Sequence, residues 1–187
     1  MVLRSLFGGS NKQPAQPETS SAATDKSDTE SIRRIAGELD ALPVEERRYI
    51  AGFAYVLARA AHADLEISRA EMDFMERAVI DVGRVRSAQA VLVVEMARNM
   101  AELYGATDDY VVTRAFAENS TREQRENLLR TAFAVGAADD TITAAESAEL
   151  NQIGKELGFR AEEVDRIRDE FRDKLAAVQA MRAALGT

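Results

Sequence analysis

Beyond residue 30 apolar residues recur at helical spacing through almost the whole chain, and nowhere does the pattern alternate with period two. Apolar side chains at i, i+3, i+4 and i+7 share one face of a helix, so such a chain buries its core by packing helix on helix. The clearest case is Ile50, Phe53, Ala54, Leu57, Ala58 and Ala61, which form one continuous stripe. Three prolines and ten glycines in 187 residues leave little room for a turn-dense β architecture. The expected fold class is all-α, a compact helical bundle of about seven to eight helices.

Capping residues mark the helix boundaries. Ser31 caps a short helix to about Ala41, and Pro43 suits the first position of a second that ends near His62. Ser68 opens a third, with Met72, Met75, Val79 and Val82 inward and Gly83 as its stop. The fourth, Ser87 to Tyr104, carries Val91-Leu-Val-Val94, apolar on nearly all sides, and is expected to be the most buried. A fifth runs from about Asp108 to Glu118, and Ser120 with Glu123 reads as the capping box of a sixth. Leu128, Leu129, Ala132, Phe133 and Gly136 line that sixth helix, and Thr143 starts a seventh that ends at Gly158. The last is expected as one helix over about Ala161 to Leu185, with Val164, Ile167, Phe171, Leu175 and Val178 inward.

Gly8 to about Glu30 holds Gly, Ser, Asn, Gln, Pro, Ala and Thr with scattered charges and no large apolar residue. Residues 1–30 are therefore expected to be a flexible tail or linker, and residues 31–187 the folded domain. The first seven residues could form a short amphipathic foot for membrane contact, with a frayed terminus as the alternative. The longest apolar run, Tyr49 to Ala58, is ten residues between Arg48 and Arg59, far short of the roughly 20 that span a bilayer. A cytoplasmic location is expected.

Composition removes several function classes. With no cysteine, thiol nucleophiles, disulfides and thiolate metal sites are excluded, and the single histidine, His62, excludes two-histidine metal motifs. A net charge of −8, with arginines interspersed among carboxylates, opposes nucleic-acid binding. Nothing in the spacing pairs a nucleophile with a base, and no enzymatic activity is expected.

Self-comparison is the most informative step. Residues 53–83 match residues 128–158 at a constant offset of 75, most strongly at one turn. There Ala63-Asp64-Leu65-Glu66-Ile67-Ser68-Arg69-Ala70-Glu71 aligns with Ala138-Asp139-Asp140-Thr141-Ile142-Thr143-Ala144-Ala145-Glu146. The bundle is thus read as two helix–acidic turn–helix repeats. Glu71 and Glu146 each sit three residues after a hydroxyl residue, the spacing of a capping box. Asp64 and Asp139 precede that hydroxyl, near a helix C-terminus where the dipole disfavours acid, and so invite a functional reading.

The doubled pattern A-D-x-x-I-[ST]-x-x-E after an Ala-rich helix resembles the tellurite-resistance TerB family, over roughly residues 45–175. The resemblance implies an all-helical bundle whose acidic turns bind a divalent metal cation, of the Ca, Mg or Mn class. Carried over position by position, it nominates Asp64, Glu71, Asp139 and Glu146 as metal ligands. Leu65 and Asp140 stand where the family usually has Gly, and Asp140 suits a left-handed backbone better than Leu65. His62 could shift the metal preference toward Zn²⁺, Mn²⁺ or Fe²⁺.

The turns also resemble the back half of an EF-hand loop. Ala60 and His62 in one copy, and Val135 and Ala137 in the other, supply almost no oxygen ligands at the front half, so a true EF-hand is rejected. The TerB resemblance implies a metal or tellurite stress-response protein, expected to dock to a protein partner. The alternatives are a metal-free interaction module with an acidic docking face, and a lipid-surface adaptor that uses residues 1–7.

Overall fold

The computed structural model describes residues 30, 33–61, 69–103 and 109–185. The chain divides into two units, Met1–Arg34 and Ile35–Thr187, and the helices below belong to the second. Residues 1–29, His62 and Asp64 lie outside the described residues, and with them most of the expected tail and the amphipathic foot.

The second unit is an all-α bundle. Residues 35–40 belong to α1. There follow α2 (Val44–Ala60), α3 (Arg69–Asp81), α4 (Ser87–Leu103), α5 (Asp109–Glu118), α6 (Arg122–Gly136), α7 (Ala144–Glu156) and α8 (Ala161–Asp169). A short 3-10 helix (Arg172–Lys174) then leads to α9 (Ala176–Leu185). Among the described residues there is no strand, only an isolated parallel bridge between Ile142 and Leu175.

The centre of the bundle is α2, not α4. Nine of the 17 residues of α2 are buried, and it packs against α4, α5, α6 and α7. Its stripe residues Ile50, Phe53, Ala54, Leu57 and Ala58 are all in the core, joined by Val56 and Tyr55 from the flanks of the stripe. The run Val91–Val94 in α4 misleads because consecutive helical residues step about 100° around the axis. Four in a row cannot share one face, and Val91 is 41% exposed.

Three boundaries differ from the sequence reading. The capping box of α6 is Thr121 with Gln124: Thr121 N–H donates to Gln124 Oε1 at 2.8 Å, and Gln124 N–H donates to Thr121 Oγ1 at 3.2 Å. Ser120 instead donates its hydroxyl to Phe116 O, closing the helix before. At the end of α3 the left-handed residue is Arg84, φ 57°, rather than Gly83. Gly83 is there for space: a Cβ would lie 2.6 Å from Val79 O and 2.8 Å from Phe53 Cζ.

The expected single C-terminal helix is broken into α8, the 3-10 turn and α9. Val164 and Ile167 are buried as expected, and Phe171 stacks on Phe133 at 5.7 Å. Leu175 then turns extended, ψ 122°, to pair with Ile142. The 3.6-residue period runs unbroken through the break and no Pro or Gly lies inside it, so local sequence carries no stop signal. The helix ends because the backbone of residues 174–176 finds tertiary partners instead. With this division the described bundle holds nine α-helices rather than seven or eight.

α3 and α7 run over residues 69–81 and 144–156, offset by 75 at both ends. α2 and α6 end at 60 and 136, offset by 76.

Candidate functional site

The second acidic turn lies between α6 and α7. The C-cap Ala137 stops α6, and Asp140 N–H donates to Ala137 O at 3.0 Å to fold the chain back. Asp139 Oδ1 accepts from Thr141 N–H at 3.0 Å, an Asx turn in which the short carboxylate imitates a backbone carbonyl. Asp140 takes the left-handed backbone, φ 69°, which Asp tolerates better than most side chains. Thr143 then caps α7: its Oγ1 accepts from Glu146 N–H at 3.2 Å, and Glu146 Oε2 accepts from Thr143 N–H at 2.7 Å. This is the capping box expected from the sequence.

The broken C-terminal helix wraps this turn. Ile142 N–H donates to Lys174 O at 2.7 Å, and Ala176 N–H donates to Ile142 O at 2.9 Å. Lys174 Nζ reaches Asp140 Oδ1 at 2.5 Å. Gln179 makes three further bonds: its Oε1 accepts from the Thr141 hydroxyl at 3.2 Å, and its Nε2 donates to Asp140 O at 2.8 Å and Asp173 O at 3.2 Å. The hydrogen bond from Lys174 and then its charge hold the Asp140 carboxyl below the usual carboxylate range, and Asp140 raises Lys174 in return.

Of the four nominated ligands, Asp139 and Glu146 lie on this turn and on the first turn of α7. Glu71 is exposed in the first turn of α3, and Asp64 is outside the described residues. Asp139 and Glu146 each commit one oxygen to a backbone N–H of their own turn and keep the other. In donor type they fit a hard divalent cation, which prefers carboxylate and carbonyl oxygen. In number they fall short of six to eight ligands, and no group of three or more His, Cys, Asp or Glu forms a metal cluster among the described residues.

A second constellation escaped the sequence reading. Arg59, in the last turn of α2, donates from Nη1 to Glu156 Oε2 at 2.6 Å and to Thr113 Oγ1 at 2.7 Å. Its Nη2 and Nε both reach Glu149 Oε1, at 2.5 and 3.0 Å. Gln152 Nε2 occupies the other oxygen of Glu156 at 2.9 Å. Burial lowers the pKa of Arg59, but its bonds to Glu156 and Glu149 more than reverse this, so the guanidinium stays charged. The signal was a cation closing a ten-residue apolar run, Tyr49 to Ala58. No partner for it was legible, because Thr113, Glu149 and Glu156 come from helices far along the chain.

No described helix is long and apolar enough to cross a membrane. Among known proteins, a family model described as tellurite resistance protein TerB matches residues 50–169. No curated protein and no solved structure matches the chain.

Proposed function

From membership of the tellurite-resistance TerB family, to which the chain belongs, we propose that its acidic turns bind a divalent cation of the Ca, Mg or Mn class. In this reading it is a small, non-enzymatic, cytoplasmic protein that serves in metal or tellurite stress by docking to a protein partner. Asp139 and Glu146 would hold the cation from the second turn, and Asp64 and Glu71 from the first. The bound cation would supply fixed positive charge where the chain is acidic. The observation that supports this best is the second turn. Its backbone is fixed by an Asx turn, a capping box and the wrapped C-terminal segment, so two carboxylates keep one oxygen each on a preorganised frame.

Titration calorimetry of the purified chain with Ca²⁺, Mg²⁺ and Mn²⁺ tests it. Wild type should bind at least one of the three, and Asp64→Asn combined with Asp139→Asn should abolish the heat. Absence of heat from wild type would shift the reading to a metal-free docking module. One observation favours that second reading: every carboxylate of the described turn already has a protein partner.

A further inference from the structure

The sequence of residues 161–185 favours one helix, yet the chain is broken there. No Pro or Gly lies between Ala161 and Leu185, and Val164, Ile167, Phe171, Leu175 and Val178 keep helical spacing across the break. The break itself is confined to two residues. Glu170 is helical at φ −62°, ψ −25°, and the 3-10 turn Arg172–Lys174 lies close to α geometry. Phe171 departs modestly, at φ −111°, ψ 19°. Leu175 departs fully, but in one angle: its φ of −69° is helical and its ψ of 122° is extended. Few contacts hold the bent form. No residue of α9 is buried, and beyond Phe171, which stacks on Phe133, Leu175 alone among the described residues packs against the core. The bonds that tie the segment to the bundle run to the second acidic turn: Ile142 with the backbone of residues 174 and 176, Lys174 on Asp140, and Gln179 on Thr141 and Asp140 O.

We propose that residues 171–185 are a two-state strap: bent, it closes over the second acidic turn, and straight, it continues α8 as one helix and uncovers that turn. Rotating ψ of Leu175 from 122° to about −42° and relaxing Phe171 completes the helix. The backbone bonds exchange rather than vanish. Ala176 N–H leaves Ile142 O for Arg172 O, Val178 N–H moves from Leu175 O to Lys174 O, and the N–H and O of Ile142 pass to water. Phe171 shares the inward stripe with Val164 and Ile167, so its stack on Phe133 anchors both forms. Lifting α9 uncovers little core, and segments with few buried contacts open at low cost. In the bent form Lys174 covers the Asp140 carboxylate, and Gln179 covers Asp140 O and the Thr141 hydroxyl. In the straight form all three face solvent. The strap therefore controls access to the turn, whatever that turn binds.

The chain has no cysteine, so spin labels on Ala145→Cys in α7 and Ala183→Cys in α9, both exposed positions, report one separation on the full chain. Pulsed electron resonance should resolve a short separation for the bent form and a longer one for the straight form. Adding Gln179→Ala should raise the ratio of long to short about tenfold, the scale of one net hydrogen bond. Hydrogen exchange distinguishes a joined helix from a frayed end. Gln179→Ala should speed the amide of Ile142 about tenfold, while Ala176 and Val178 keep their protection because they are bonded in both forms. Ala177→Pro lies in the first turn of α9, where Pro is accepted, but inside the straight helix, where its ring would clash with Asp173 O. It should abolish the long separation and leave the thermal midpoint nearly unchanged, and if it fails to fold, the exchange pattern of Gln179→Ala decides. A single separation in both wild type and Gln179→Ala would overturn the proposal. So would faster exchange at Ala176 and Val178 together with Ile142, or a long separation that survives Ala177→Pro, since either marks a frayed segment.

Discussion

Arg59 Nη1 lies 2.6 Å from Glu156 Oε2, and the two side chains are only 8% and 5% exposed. The pair joins the central helix α2 to α7, the helix that follows the acidic turn, with Thr113 of α5 as a third anchor. Removing one partner of a buried ion pair leaves the other charge uncompensated, which typically costs about 3–5 kcal/mol. Arg59→Met should destabilise the domain by that amount in urea unfolding, and Glu156→Gln by a similar one. Adding Glu156→Gln and Glu149→Gln to Arg59→Met should recover part of the loss, because three charges then leave together. Strictly additive losses would show that the three do not act as a unit.

The placement of α2 at the centre makes a second prediction. Leu57 is fully buried, so Leu57→Ala should cost about 2–5 kcal/mol. Met181 in α9 is 64% exposed, and Met181→Ala should stay within about 0.5 kcal/mol. Comparable losses would contradict the burial assigned to both helices.

Helix ends give a third. Gly158 ends the α7 segment with φ 84°, a backbone that side chains with a Cβ avoid, so Gly158→Ala should cost about 1–2 kcal/mol. At the end of α3 the left-handed position is Arg84, and Arg84→Gly should be neutral or stabilising by up to about 1 kcal/mol. Gly83→Ala should destabilise through its clash with Val79 O. Chemical denaturation orders the three, and a loss at Arg84→Gly larger than at Gly83→Ala would contradict the assignment.

These helix ends show what was legible and what was not. Helix existence and the inward faces of α2 and α6 follow from apolar period, and the Thr143–Glu146 box follows from capping chemistry. Gly83 and Arg84 could not be told apart, since a glycine serves equally for a left-handed turn and for close approach. The break before α9 was hidden because its cause, the pairing of Leu175 with Ile142, lies 33 residues away in the chain. For the same reason the family pattern pointed to Asp139 and Glu146, but nothing in it pointed to Lys174 and Gln179, which bond the neighbouring Asp140. Asp140 stands where the family usually has Gly, and its backbone is left-handed, the geometry that Asp was expected to tolerate better than Leu65.

Acid stability gives a fourth prediction. Glu163 is held below the usual carboxylate range by the Arg160 N–H, then by the Arg160 side chain and Arg122, and Asp140 is held down by Lys174. A carboxyl with a lower pKa in the folded state binds fewer protons there than in the unfolded state, so stability rises with pH across that window. The contribution is complete above the unfolded carboxylate pKa near 4 and disappears as pH falls through the folded values. The thermal midpoint of wild type should therefore fall below about pH 4.5. Glu163→Gln should give a shallower fall, with the two curves converging toward pH 2. Parallel curves would show that Glu163 contributes no linked stability.

The central claim is that the acidic turns carry ligands and not only caps, and thermal unfolding with and without cation tests it most directly. Glutamine serves a capping box nearly as well as glutamate, because its side-chain carbonyl still accepts from the backbone N–H, but it is a poor ligand for a hard cation. Glu71→Gln with Glu146→Gln should leave the metal-free midpoint almost unchanged. Millimolar Ca²⁺, Mg²⁺ or Mn²⁺ should raise the wild-type midpoint by mass action on the folded state, and the double variant should lose that rise. An identical cation response in wild type and the double variant would contradict the claim and leave these carboxylates as caps.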